Sequence, residues 1–276
     1  MTACFINPRQ LDEAGPSSVL VDCRFRLTDP DWGRAAYLEQ HAAGAVYAHL
    51  DDDLSDLAAG AGRHPLPDMA QLQQTLRGWG IGPDTVVMVY DDASGAIAAR
   101  LWWLLRYVGH RRVMILDGGW QAWQESGLPV ESGSASTEPG TIAVAPGAMP
   151  WVTTETVARR SADSLLLDAR SGERFRGESE PIDPVAGTVP GAANRPFEDN
   201  LDQGRLKSLA DLRRDWDAVL SGFSAEKVMH MCGSGVTACF NLACMEQLGL
   251  HGSALFVDSF SGWIADATRP VSQVET

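Results

Sequence analysis

Apolar residues fall along this chain in short unbroken runs that alternate with longer runs of helical spacing. Residues 18–24, SVLVDCR, and 164–170, SLLLDAR, are two of the short runs, and residues 86–89 and 228–231 are two more. Runs of this length, bounded by turn formers, predict strands buried on both faces. After the later run in each half, residues 96–107 and 236–248 carry apolar side chains at helical spacing, and Gly249 supplies a stop for the second. Such alternation predicts a parallel sheet with flanking helices, an α/β fold.

The pattern occurs twice. Asp22 pairs with Asp168, Gly44-Ala45-Val46 with Gly187-Thr188-Val189, residues 86–89 with 228–231, and Gly119-Trp120 with Gly262-Trp263. The offsets stay close, since 168−22 is 146, 187−44 is 143 and 263−120 is 143. Shared order and spacing predict a duplicated domain. Residues 132–150, SGSASTEPGTIAVAPGAMP, show no period and are rich in Ser, Gly, Ala and Pro, which predicts a linker between domains at 1–131 and 151–276.

Composition narrows the partners. The 22 Lys+Arg against 36 Asp+Glu give a net charge of −14, which repels nucleic acid and anionic membrane surfaces. No apolar run has transmembrane length, and MTACFINPRQ lacks the basic start and hydrophobic core of an export signal, so a cytoplasmic location is expected. The five cysteines, at 4, 23, 232, 239 and 244, are odd in number and form no CxxC, which indicates neither a disulfide framework nor a zinc site and fits a reducing compartment. The acidic HLDDDLSD run lacks the glycine and terminal glutamate of a calcium loop. No cofactor or metal is implied.

Cys232 stands at the hinge between a predicted strand and helix, with Gly233 and Gly235 in the loop. Glycines there let successive N–H groups turn inward, and the helix adds the positive end of its dipole, so the pocket favours an anion such as a thiolate. The competing reading is a small buried hydrophobe, which is also the default for Cys239 and Cys244. In the first copy the matching loop reads Tyr90-Asp91-Asp92-Ala93-Ser94-Gly95, with Asp91 in the place of Cys232. A carboxylate is no sulfur nucleophile, so the first domain is expected to be catalytically silent. Asp22/Arg24 and Asp168/Arg170 occur in both copies and are expected to be structural ion pairs, while Trp120 and Trp263 are expected in packing.

The segment CGSGVTA, residues 232–238, closely resembles the active-site loop of the rhodanese superfamily, and in particular its mercaptopyruvate branch. The duplicated layout resembles the paired rhodanese-like domains of that branch, so the likeness covers nearly the whole chain. It implies a sulfurtransferase in which Cys232 takes a sulfane sulfur from a small-molecule donor, holds it as a persulfide, and passes it to a thiol acceptor such as thioredoxin, or to cyanide. Backbone N–H groups of Gly233, Ser234, Gly235, Val236 and Thr237 are the implied cradle, and the Thr237 hydroxyl is a candidate helix cap. Rhodaneses that use thiosulfate typically carry basic residues where this chain has Gly233 and Ser234. Their loss favours a donor with one carboxylate.

Gly172-Glu173-Arg174-Phe175-Arg176-Gly177 resembles the branch's Gly-Arg-Phe-x-Gly segment with one residue inserted, making Arg174 the implied carboxylate ligand. The branch's second arginine, nine positions on, falls on Asp183, an acid. Arg176, Arg195 or Arg63 is then needed in its place. The branch also uses a serine, a histidine and an aspartate. Ser234 supplies the first, His41 matches a His-x-x-Gly-Ala segment, and Asp29 or Asp31 could supply the acid, while His49, His64, His110, His230 and His251 are given no role.

The sequence bears on three other activities and argues against the first. A phosphatase on this fold needs an arginine six residues after the cysteine, where Ala238 stands. A thiosulfate sulfurtransferase, or a persulfide carrier without a small donor, is kept open by Asp183.

Overall fold

The computed structural model describes residues 3–14 and 18–273. The chain forms two compact units, Met1–Asp56 with Leu66–Met149, and Leu57–Pro65 with Pro150–Thr276. Each is built on a five-stranded, all-parallel sheet. In the first unit the strands lie in the order Phe5–Ile6, Val113–Leu116, Val86–Tyr90, Ser18–Asp22, Val46–Tyr47. In the second the order is Trp151–Val152, Ala254–Phe256, Val228–Met231, Leu165–Asp168, Ala193–Asn194. The two orders correspond strand for strand.

The central strands Val86–Tyr90 and Val228–Met231 are buried along their whole length, as their unbroken composition requires. Helices Ala98–Tyr107 and Ala238–Gln247 follow them and are themselves almost wholly buried, so their apolar residues extend around the helix instead of forming one stripe. Gly249 ends the second helix region with φ +75°, a conformation few other residues adopt.

Hydrogen bonding gives the repeat a different register from the one expected. Asp22 pairs with Tyr90 and Asp168 with Met231, so residues 87–90, not 86–89, match 228–231. Arg24 donates to the carbonyl of Gln40 and Arg170 to that of Gly187, which makes Gly191 the partner of Gly44 in place of Gly187. Both glycines are left-handed, at φ +75° and +74°. Trp123 and Trp263 each donate through the indole to a proline carbonyl, and Arg24 and Arg170 lie over the rings of Trp120 and Phe260. Trp263 therefore corresponds to Trp123, and Trp120 to Phe260.

The expected linker also behaves differently. Residues 132–149 belong to the first unit as an irregular strap whose N–H groups are satisfied one by one: Gly133 donates to Leu38, Gly140 to Arg77, Ile142 to Ile81 and Ala145 to Val108. Its own Ile142 and Met149 are buried. Conversely, Leu57–Pro65, from the first half of the sequence, belongs to the second unit.

Candidate active site

Pairing of Met231 with Asp168 sets Cys232 at the carboxyl end of the central strand, the usual place for a ligand site in a parallel sheet. The next turn is clamped from the far side. Cys232 N–H donates to Ser259 Oγ at 3.1 Å, the Cys232 carbonyl accepts from Phe260 N–H, and the Gly233 carbonyl accepts from Ser261 N–H. Gly235 sits at φ +73°, and a Cβ there would come within 2.4 Å of the Val257 carbonyl oxygen, so only glycine fits the turn. Val236 N–H then donates to Cys232 Sγ at 3.3 Å, at the start of the following helix. Cys232 is only 2% exposed, and all five cysteines are free thiols. Thr237 occupies the cap position with helical dihedrals and makes no side-chain capping bond, contrary to the expected cap.

Ser234 is buried and its Oγ lies 2.7 Å from His64 Nδ1. The histidine placed against the loop serine is thus His64, a residue given no role from sequence. His41, expected there, belongs to the first unit. Its ring stacks on Tyr37 with centroids 4.0 Å apart, and its Nδ1 lies 2.7 Å from the Tyr37 carbonyl. In the repeat His41 takes the position of Thr188, each residue following the carbonyl that accepts from Arg24 or from Arg170. Asp29 and Asp31, the expected partners of His41, are likewise in the first unit.

Positive charge reaches the loop from outside it. A Cβ on Gly233 would lie 2.8 Å from Arg63 Nη2 and 3.5 Å from Arg174 Nη2, which shows how closely both guanidiniums cover this residue. Arg174 binds Glu180 through Nε and Nη2, and Nη2 also reaches Asp183 at 3.1 Å. Arg63 Nη1 pairs with the other oxygen of Asp183. Glu180 in turn accepts from Arg170 at 3.2 Å, and Arg170 pairs with Asp168 in the sheet. Burial pushes the Glu180 carboxyl up, but hydrogen bonds from Arg174 and from the N–H groups of Asp183 and Ile182 outweigh it and hold the group below its ordinary range. The Asp168–Arg170 pair, expected to be structural only, is therefore the inner end of an alternating series of charges that ends at the loop. Arg176 pairs with Glu178 at the surface, and Arg195 bonds to Asn200.

The first unit shows what happens to the same turn without a cysteine. The Asp91 carboxylate is fully buried and accepts from the N–H groups of Ala93, Gly95, Ile97 and Ala98 at 2.7–2.8 Å. Burial raises this carboxyl, and the four N–H donors oppose the rise. The cradle is filled by its own side chain.

The second unit is thus a parallel-sheet unit with a cysteine at the carboxyl end of its central strand, an N–H group on the sulfur, and two guanidiniums close to the next residue, an arrangement suited to an anion. The chain belongs to the rhodanese family and is a sulfurtransferase: residues 8–126 match the rhodanese-like domain, and full-length relatives carry that activity in their names. A Pseudomonas aeruginosa protein named as a probable 3-mercaptopyruvate sulfurtransferase is 44% identical over 263 residues, which cover 93% of each chain. SseB of Mycobacterium tuberculosis, named provisionally as a thiosulfate sulfurtransferase, is 42% identical over 95% of this chain and 93% of its own. The solved 3-mercaptopyruvate sulfurtransferase from Leishmania major superposes with a TM-score of 0.84 at 30% identity, covering 95% of this chain and 74% of that one. No helix among the described residues is long and apolar enough to cross a membrane.

Proposed function

We propose that the second unit moves sulfur from 3-mercaptopyruvate to a thiol or to cyanide through a persulfide on Cys232. The observation that carries this reading is the hydrogen-bonded Ser234–His64 pair two residues from the nucleophile. Such a pair suits a donor whose leaving group gains charge on oxygen.

In the first half-reaction the Cys232 thiolate attacks the donor sulfur, forming an S–S bond and breaking the donor C–S bond. The electron pair from that bond passes to the donor carbon and is delocalised onto the adjacent carbonyl oxygen as an enolate. The thiol proton of the donor ends on this carbon, giving pyruvate and Cys232–S–S⁻. His64, protonated at Nδ1, donates to Ser234 Oγ, which leaves the Ser234 hydroxyl hydrogen free to point at the enolate oxygen. The N–H groups of Gly233, Ser234, Gly235, Val236 and Thr237 hold the anionic persulfide, and Arg174 Nη1 faces the donor's carboxylate. In the second half-reaction a thiolate, such as that of a thioredoxin, or cyanide attacks the outer sulfur and returns Cys232 as thiolate. The first unit takes no part in sulfur transfer, because Asp91 already fills its cradle. Free thiols at all five cysteines fit work in the reducing cytoplasm.

Thiosulfate is the second reading, favoured by two guanidiniums over Gly233. Mass spectrometry after donor treatment tests both. One added sulfur on the Cys232 peptide of the wild type, absent in Cys232→Ser, is the expected result. Sulfur transfer retained by Cys232→Ser would overturn the assignment.

A further inference from the structure

We infer that Arg63 binds the anionic end of the sulfur donor through its Nε–Nη2 edge, and that Asp183 is the positioning residue that turns this edge toward Gly233. The inference rests on the sulfurtransferase reading above and names the donor-selecting groups of the same site.

The two guanidiniums over the loop are not equivalent. Arg174 has its Nε–Nη2 edge closed on Glu180, and its Nη2 is shared with Asp183. Its capacity to grip a carboxylate with two parallel bonds is therefore already used inside the protein. Arg63 is held the other way. Only Nη1 goes to Asp183, while Nη2 leans over Gly233 and Nε is buried with no hydrogen-bond partner among the described residues. A buried guanidinium N–H without an acceptor is costly, and the pair Nε and Nη2 is the edge that matches a carboxylate bidentately. A donor carboxylate at Gly233 would satisfy both at once. The backbone supports this aim: Arg63 N–H donates to Ser261 Oγ, and a Cβ on Gly62 would come within 3.0 Å of the Asp258 carbonyl oxygen, so the segment lies close against the turn that clamps Cys232.

Asp183 then has a definite task. It stands where the sequence resemblance implies an arginine, and its two oxygens take Arg63 Nη1 and Arg174 Nη2 respectively. One carboxylate thus fixes both cations and cancels one of their charges. With Glu180 included, two guanidiniums face two carboxylates, a formal sum of zero before the donor arrives. A site balanced in this way accepts a donor bearing one carboxylate more readily than the thiosulfate dianion.

Steady-state kinetics with 3-mercaptopyruvate and with thiosulfate test this in wild type, Arg63→Gln, Arg63→Lys and Asp183→Asn. The ratio of kcat/KM for the two donors does not depend on the folded fraction, so a partly unfolded variant still reports. Arg63→Gln is expected to raise KM for 3-mercaptopyruvate by about tenfold or more with a smaller change in kcat, and Arg63→Lys, which keeps charge but lacks the fork, to recover only part of it. Asp183→Asn is expected to move the donor ratio toward thiosulfate by about tenfold. Twofold or smaller changes in KM for Arg63→Gln, or an unmoved donor ratio for Asp183→Asn, would overturn the inference and leave the sulfurtransferase reading standing. Failure of wild-type Cys232 to take up sulfur from either donor would overturn both.

Discussion

Separated by 170 positions along the chain, His64 Nδ1 and Ser234 Oγ lie 2.7 Å apart. The segment Leu57–Pro65 brings the imidazole to the cysteine loop, and it belongs to the second unit although it lies in the first half of the sequence.

This pair predicts unequal effects on the two donors. Ser234→Ala and His64→Gln should each lower kcat with 3-mercaptopyruvate by about 10²-fold, the range typical of a lost proton donor. The double variant should be little worse than either single one, because each removes the same hydrogen-bonded unit. Thiosulfate, which forms no enolate, should lose far less. Equal losses with both donors in steady-state assays would mean that the pair only holds the loop in shape.

Arg174 carries a mixed prediction. Its guanidinium is the partner of both Glu180 and Asp183, whose side chains are almost fully buried. Arg174→Ala would leave these carboxylates with less compensation, a change that typically costs about 3–5 kcal/mol. A lowered denaturation midpoint should therefore accompany a raised KM for the donor. Arg174→Ala with wild-type stability by chemical denaturation would show that Arg63 and Arg170 suffice to hold the carboxylates.

The parts of this site that could be read from sequence are those made by neighbours in the chain. The run into Cys232, the glycines after it and the helix stop at Gly249 are local signals, and each has a single backbone solution. Asp91 in place of the cysteine was readable for the same reason. What sequence did not reveal was set by distant contacts. Gly187 and Gly191 both begin a small-residue segment, and only the Arg170 bond to the Gly187 carbonyl decides which one matches Gly44. His64, which carries no local signal, is brought to Ser234 by tertiary structure alone. Asp183 looked like a defect because its neighbour in space, Arg63, lies 120 residues away.

Ser259 predicts a competition between strain and hydrogen bonding. It holds φ +50°, rare for a residue with a side chain, while the corresponding position of the first unit is Gly119 at φ +55°. The serine's return is its hydroxyl, which accepts from Cys232 N–H and donates to the Phe256 carbonyl. Ser259→Ala keeps the strain and loses both bonds, so it should be the less stable variant. Ser259→Gly loses the bonds but relieves a strain of order 1 kcal/mol. Both should slow persulfide formation, since the strand-to-loop turn is no longer tied. A higher thermal midpoint for the alanine variant than for the glycine variant would contradict this ordering.

His230 predicts how the second unit responds to acid. It lies in the central strand, fully buried, with Nε2 3.2 Å from Met245 Sδ, its ring against Trp216, and Nδ1 without a partner among the described residues. Nothing there compensates a positive charge, and burial lowers its pKa from 6.5 to about 3. The unfolded chain binds this proton below about pH 6.5 and the folded protein does not, so the stability tied to the neutral ring is complete above that pH. It is lost as pH falls toward 3, at up to about 1.4 kcal/mol per pH unit. His230→Leu replaces the titrating group with an apolar side chain of similar size, and should flatten this limb of the stability curve between pH 6 and 4. The check is urea denaturation of both proteins across that interval. Parallel curves would mean that the imidazole is hydrated or paired in solution and contributes nothing to acid sensitivity.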